Sequence, residues 1–322
     1  MPTDQTSYKS YHLPWRELPG EFPDDTEAFV IGDVHGQADL LAQVLKEIRD
    51  VPREARTRHL IFLGDLIDRG PSSIEAVDLA MRAGDFTGAD HLHVLPGNHD
   101  LGLYFGLSSG SVLSFWIAGG GNTVLAEVGM SEQTHTPAEV TDKLLESFLP
   151  EYLKWIGEGP SHLRLGDLVF VHAGVHPDGD LEEFLAQDRF FLGVDDHWAT
   201  MRHPFLSHQG GWDTRDPDPD RRDRRPTVIV HGHTPALRRD LSSAEDLEAC
   251  DGIEGYRTIA LDIGAAYRPQ LAVGHVRGRA GKAKVRIFAV RESTLNQSPE
   301  NSRSLGGSRG VKPSSMKKST EC

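Results

Sequence analysis

Three short apolar runs in the first hundred residues each end in glycine or proline-glycine: Phe29-Val30-Ile31-Gly32, Leu60-Ile61-Phe62-Leu63-Gly64 and Leu92-His93-Val94-Leu95-Pro96-Gly97. Each reads as a buried strand. Between them the apolar period lengthens to that of a helix, with Leu40, Leu41, Val44, Leu45 and Ile48 in the first gap. In the second gap lie Ile74, Val77, Leu79 and Ala80, bounded by Pro71 and Gly84. Such alternation predicts a sheet covered by helices, with ligands at the carboxyl ends of the strands. From 101 to 159 the pattern is mostly helical. It includes a helix over 138–148, with Val140, Leu144, Leu145 and Phe148 on one face and Thr136-Pro137 at its start. A hairpin follows, 162–165 and 168–171 joined by Gly166-Asp167, a glycine-first turn of type II′. Runs at 259–263, 271–276 and 285–290 read as closing strands of a second sheet.

The ends of the first three strands carry the chemistry. They continue as Asp33-Val34-His35-Gly36, Asp65-Leu66-Ile67-Asp68-Arg69-Gly70 and Asn98-His99-Asp100. Carboxylate, imidazole and amide oxygen together suit Mn, Fe or Zn, whereas an oxygen-only Ca or Mg site has no use for imidazole. Asp65, from the middle strand end, is the natural bridge between two ions, and such a pair clamps an in-line phosphoryl displacement. Two later strands end in Val171-His172-Ala173-Gly174 and Val230-His231-Gly232-His233-Thr234-Pro235.

The motifs G-D-V-H-G, G-D-L-I-D-R-G and G-N-H-D resemble those of the calcineurin-like metallophosphoesterases, and in particular their phosphoprotein phosphatase branch. The resemblance covers roughly residues 27 to 276. It implies an α/β fold, the four-layer αββα sandwich of two β-sheets flanked by helices, with a helical insert. It also implies two divalent transition-metal ions, manganese favoured and iron or zinc the alternatives. Carried over residue by residue, Asp33, His35 and Asp65 hold the first ion, and Asp65, Asn98, His172 and His233 the second. His231 is then left as a structural or supporting residue. A metal-bridging hydroxide attacks phosphorus directly, His99 protonates the leaving oxygen and Asp68 orients its ring. Arg69 and Asn98 bind the substrate phosphate. Arg202, in Arg202-His203-Pro204-Phe205-Leu206, resembles the second clamp of bacterial phosphatases, with Arg215 in reserve and pairing of Arg202 with Asp195 or Asp196 as the plain alternative. Asp262-Ile263-Gly264 resembles the D-T-G segment of bacterial members. The 115–123 stretch, Phe-Trp-Ile-Ala-Gly-Gly-Gly-Asn-Thr, reads either as a loop bent over the site or as a helix break with buried aromatics.

Charge narrows the partners. With 34 Lys and Arg against 48 Asp and Glu the net charge is -14, which repels a nucleic-acid backbone or an anionic membrane. Two cysteines form no disulfide framework, and no apolar run approaches a membrane span, so a cytoplasmic location is expected. The 213–225 segment reads as a solvated loop. The domain is expected over 27–292, after an irregular lead-in at 1–26 and before a disordered tail at 293–322. Three functions follow in order: hydrolysis of phosphoserine or phosphothreonine in a phosphoprotein or phosphopeptide; hydrolysis of a nucleotide polyphosphate such as diadenosine tetraphosphate; and a non-catalytic binding scaffold.

Overall fold

The computed structural model describes residues 6–192, 194, 196–212 and 227–293. In chain order the strands and helices are β1 (Ser7–His12), β2 (Arg16–Glu17), β3 (Thr26–Ile31), α1 (Ala38–Asp50), β4 (Thr57–Phe62), α2 (Ser73–Thr87) and β5 (His91–Val94). The insert supplies α3 (Asn98–Gly106), α4 (Gly110–Trp116), α5 (Asn122–Glu127), α6 (Pro137–Ser147) and α7 (Pro150–Glu158). The chain closes with β6 (His162–Leu165), β7 (Leu168–Val171), α8 (Leu181–Leu185), β8 (Val228–His231), β9 (Asp251–Gly252), β10 (Thr258–Ala260), β11 (Gln270–Arg279) and β12 (Lys282–Ser293).

Two sheets result. The first runs β1-β12-β11-β3-β4-β5, with β2 also on β12; the second runs β6-β7-β8-β10-β9. Within the first, β3, β4 and β5 are parallel, and β11 lies antiparallel on β3. In the second, β7, β8 and β10 are parallel. Side chains alternate across each strand, and the burial follows. Ala28, Val30, Ile61 and Leu63 of the first sheet share a core with Leu168, Phe170, Val228, Val230 and Ile259 of the second. The intervening Phe29, Ile31, Leu60 and Phe62 pack outward on Leu41, Val44 and Ile48 of α1 and Ala76, Val77 and Ala80 of α2. Burial on both faces explains why these strands read as nearly unbroken apolar runs. The α/β sandwich with a helical insert is therefore present. Among the described residues no helix is long and apolar enough to cross a membrane.

Local signals account for the helix ends. Thr136 accepts from the Glu139 amide and Glu139 reaches back to Thr136, so α6 starts with a capping box. Leu145, counted on the apolar face of that helix, is 48% exposed, while Val140 and Leu144 carry the burial. The N-terminus of α2 is held from outside, its Ser73 and Ile74 amides donating to Glu127 of α5.

Two expectations need correction. The lead-in is not irregular, because β1 pairs with β12 from Ser7 opposite Ser293 to His12 opposite Phe288. It is an edge strand with only partial burial, so it lacks an apolar run to betray it. Strands β11 and β12 join the first sheet, not the second; of the three closing runs only β10 lies in the second. Apolar runs declare strands, but not the sheet they enter. The predicted tail (beyond 293) and the 213–225 segment lie outside the described residues. At the entry to β3 and β4, Arg58 Nε donates to Glu27 Oε1 at 2.8 Å and His275 Nε2 lies 3.2 Å from Glu27 Oε2. All three side chains are buried.

Candidate metal centre

The loops after β3, β4, β5, β7 and β8 converge where the two sheets come together at their carboxyl ends. They do so at a conformational cost. His35, Asp65, Asp68, Arg69 and His233 all have positive φ, between 48° and 75°, a region costing non-glycine residues on the order of 1–3 kcal/mol each. Glycine gives the room. A Cβ on Gly97 would lie 2.1 Å from Asp65 Oδ1, and one on Gly232 would lie 2.0 Å from Asp33 Oδ1. The motif glycines are thus where backbone meets carboxylate.

The donors form two groups that share Asp65. On one side His35 Nε2 stands 3.7 Å from Asp65 Oδ2 and 4.0 Å from Asp33 Oδ2. On the other, His172 Nε2 lies 3.4 Å from Asp65 Oδ2 and 3.2 Å from Asn98 Oδ1, with the His233 ring 5.2 Å from that of His172. The sets His35, Asp65, His99 and Asp65, His172, His233 each bring their donor atoms within 4.8 Å of one another. Outer contacts aim the rings. His35 Nδ1 is 3.0 Å from the Ile67 carbonyl and His172 Nδ1 is 2.9 Å from that of Leu63, so each Nε2 faces inward. The His233 amide donates to both oxygens of Asp33 at 3.0 Å. His233 Nε2 is buried without a hydrogen-bond partner.

Burial raises Asp33 well above the usual carboxylate value, with nearby Asp262 adding to it. Burial would also raise Asp65, but His172 and His99 hold it well below. Burial lowers His35 to about 3 and puts His233 well below its ordinary value. His172 goes the other way: burial opposes its charge, yet Asp65 holds it up to about 9. The imidazoliums of His172 and His99 thus supply positive charge that buried carboxylates require, a role divalent cations fill while displacing protons. Buried N and O donors, an unpartnered imidazole nitrogen and a shared carboxylate fit a pair of such cations.

A second pair stands beside the donors. His99 Nδ1 is 2.6 Å from Asp68 Oδ2. Burial opposes charge on His99, but Asp65 and Asp68 together raise its pKa. Arg69 donates from Nη1 to the Tyr267 hydroxyl and from Nη2 to the Gly119 carbonyl, both at 3.0 Å. Its guanidinium also sits 5.4 Å from the centre of the Tyr267 ring. The 115–123 stretch therefore does two things: Trp116 is buried and the chain breaks at Gly120 (φ 143°), and the break touches Arg69. Phe115, expected among its buried aromatics, is 56% exposed. Arg202 is exposed; its charge adds to the burial that puts His233 below its ordinary value and opposes the burial that raises Asp262 to about 6. Asp196 pairs with His176 at 3.8 Å. Arg215 and Asp195 lie outside the described residues. His231 is buried with its ring 4.8 Å from that of Phe205.

Three residues of the site had no assigned role in the sequence. Asp100 is fully buried and accepts from the amides of Asp65 (2.7 Å), Leu66 (3.2 Å) and Gly97 (2.8 Å) and from the Tyr152 hydroxyl (2.6 Å). It fastens two motif loops to each other and to α7. Its signal was its place at the third position of α3, where a carboxylate turns back to the cap. Neither Tyr152 nor Tyr267 had any local signal; the fold brings them 52 and 198 residues along the chain to their partners.

A model of the calcineurin-like phosphoesterase family matches residues 28–275. The bis(5'-nucleosyl)-tetraphosphatase PrpE (asymmetrical) of Bacillus velezensis is 28% identical over 254 residues, covering 75% of this chain and 86% of its own. The symmetrical bis(5'-nucleosyl)-tetraphosphatase of Vibrio campbellii is 29% identical over 154 residues, covering 48% of this chain and 47% of its own. A protein serine/threonine phosphatase structure from Saccharomyces cerevisiae superimposes with a TM-score of 0.45 at 14% identity, covering 86% of this chain and 82% of that one.

Proposed function

This chain belongs to the calcineurin-like phosphoesterase family, and from that premise we propose that it hydrolyses a nucleoside polyphosphate of the bis(5'-nucleosyl) tetraphosphate kind at a centre for two divalent cations. Asp33, His35 and Asp65 would hold one ion, and Asp65, Asn98, His172 and His233 the other, with manganese preferred and iron or zinc as alternatives. When bound, such a pair supplies Lewis acidity, an activated water and neutralisation of phosphoryl charge. The chain's own groups do the rest. His99 carries the proton the leaving oxygen needs, and Asp68 fixes its ring and favours the charged form. Arg69 and Asn98 bind the reacting phosphate. Arg69 acts electrostatically on His35 and His99, and Arg202 on His233 and Asp262, positive charge that would suit a chain of phosphates.

The observation that carries the nucleotide reading is Tyr267. It is 66% exposed, and its ring and hydroxyl both meet Arg69, which puts an open aromatic face beside a phosphate clamp, as a nucleobase requires. The relatives named as tetraphosphatases support the same reading, and it displaces phosphopeptide hydrolysis from first place. Phosphoserine or phosphothreonine in proteins remains the second reading, favoured by the intact Asp68–His99 pair. Steady-state kinetics on diadenosine tetraphosphate and on a phosphothreonine peptide, with one manganese-loaded preparation, separates them. We expect kcat/KM for the dinucleotide to be higher by at least about tenfold, roughly 1.4 kcal/mol of differential transition-state binding. A tenfold preference for the peptide would overturn the assignment.

A further inference from the structure

Three histidines meet on one face of the first sheet, away from the candidate centre. The edge strand β5 runs parallel to β4 in a register that sets His59 beside His91 and Ile61 beside His93. Side chains alternate along a strand, so His91 and His93, two apart in His91-Leu92-His93, share the face that His59 occupies. The rings have closed on one another. His59 Nδ1 is 3.0 Å from His93 Nε2, their ring centres lie 5.3 Å apart with 12° between planes, so the two rings meet edge to edge, and the His91 ring lies 4.7 Å from His59 and 6.3 Å from His93.

This packing leaves donor atoms to spare. A 3.0 Å contact between two ring nitrogens holds one proton, so at least one nitrogen there offers a lone pair. Two imidazole nitrogens bound tetrahedrally at about 2.0–2.1 Å from one zinc ion stand roughly 3.4 Å apart, so the His59 and His93 nitrogens are already at nearly the right separation, and the two rings would have to tilt from facing each other for their lone pairs to converge on one ion. His91 is exposed, and its ring, 6.3 Å from that of His93, would have to turn about its side-chain torsions to supply a third nitrogen. Neighbouring cations are already engaged: Arg58 is held by Glu27 and Arg53 by Asp90. His59 is the third residue of β4 and His91 the first of β5, whereas Asp65 lies in the loop after β4, so the trio stands toward the opposite end of the strand from the shared carboxylate.

We propose that His59, His91 and His93 form a further metal site, for a zinc-class transition-metal cation completed by solvent. Imidazole alone selects against Mg and Ca, which take oxygen, and Mn stands at the weak end of the divalent series. An ion there ties the edge strand β5 to β4 and covers part of an otherwise open sheet edge.

The test is equilibrium dialysis of the full-length protein against Zn2+, with bound zinc counted per chain at saturation, for wild type and for His91→Ala/His93→Ala. The double variant is expected to bind one zinc ion fewer and to keep its manganese-supported hydrolysis. Equal zinc stoichiometry would overturn the site. If the double variant loses its fold, His91→Ala alone, at an exposed position, decides. It should weaken the last zinc ion bound by tenfold or more, and unchanged affinity refutes the proposal.

Discussion

Asp100 offers the sharpest way to test how the candidate centre is built. Its Oδ2 accepts from the Asp65 and Gly97 amides, and its Oδ1 from the Leu66 amide and the Tyr152 hydroxyl, with no exposed surface. In Asp100→Asn one end becomes a donor. The tolerable orientation puts the new NH2 at the Oδ1 position, where the Tyr152 hydroxyl can turn to accept it, and the Leu66 amide, the longest of the four contacts, is left without a partner. One orphaned buried donor costs about 1–3 kcal/mol. Asp100→Ala orphans three amides and a hydroxyl, so even with water partly substituting it should cost about 3 kcal/mol or more, a large share of the roughly 5–15 kcal/mol that a domain has. Tyr152→Phe removes one hydrogen bond and should cost about 0.5–1.5 kcal/mol. Burial raises Asp100 to about 6, so the comparison belongs at pH 8, where it is ionised. Urea unfolding in the presence of chelator gives the three values without cation binding added to them. An Asp100→Asn loss below about 0.5 kcal/mol, or a Tyr152→Phe loss as large as that of Asp100→Ala, would refute the view that Asp100 fastens the motif loops together.

Two further outcomes follow from the same geometry. His99→Asn should lower kcat on an alkyl phosphate ester by about 10² to 10⁴, the usual share of general acid catalysis, and on an aryl phosphate by much less, because phenoxide leaves without a proton; equal losses would mean that His99 acts as a ligand or support. Glu27 is pushed up by burial but held below its ordinary value of 4.5 by hydrogen bonds from His275 and Arg58. A depressed folded pKa contributes stability that is present above the unfolded value and lost as pH falls through the folded one. The stability gap between wild type and Glu27→Gln should therefore be full near neutrality and shrink below about pH 4.5, and a gap that stays constant through that range would show that the charge of Glu27 is immaterial.

The parts of this molecule legible in its sequence are those determined within a few residues. Buried parallel strands announce themselves as apolar runs, and the carboxylates and imidazoles at their ends follow within two or three positions, so the donor cluster around Asp65 could be named before it was seen assembled. The capping box at Thr136 and the glycine-first turn at Gly166 (φ 61°) are equally local. What escaped depends on distant pairings. β1 has no apolar run because it lies on an edge, and its partner β12 is nearly the whole chain away. β11 and β12 read correctly as strands but went to the wrong sheet, since a strand buried on both faces looks alike in either. Tyr267 and Tyr152 reach the site only through the fold, so the open aromatic face beside Arg69 has no signature in the motifs.

The central claim is that Asp65 belongs to two cation sites at once. Its most direct test is elemental analysis of the manganese-loaded protein after removal of loosely bound ions, comparing wild type with Asp65→Ala alongside hydrolysis of diadenosine tetraphosphate. Manganese is chosen because the histidine trio on β4 and β5 binds it poorly. Two ions per chain in the wild type, fewer than one in the variant, and loss of turnover together are the predicted result. A single ion in fully active wild type, or a variant that keeps both ions and its turnover, would contradict it.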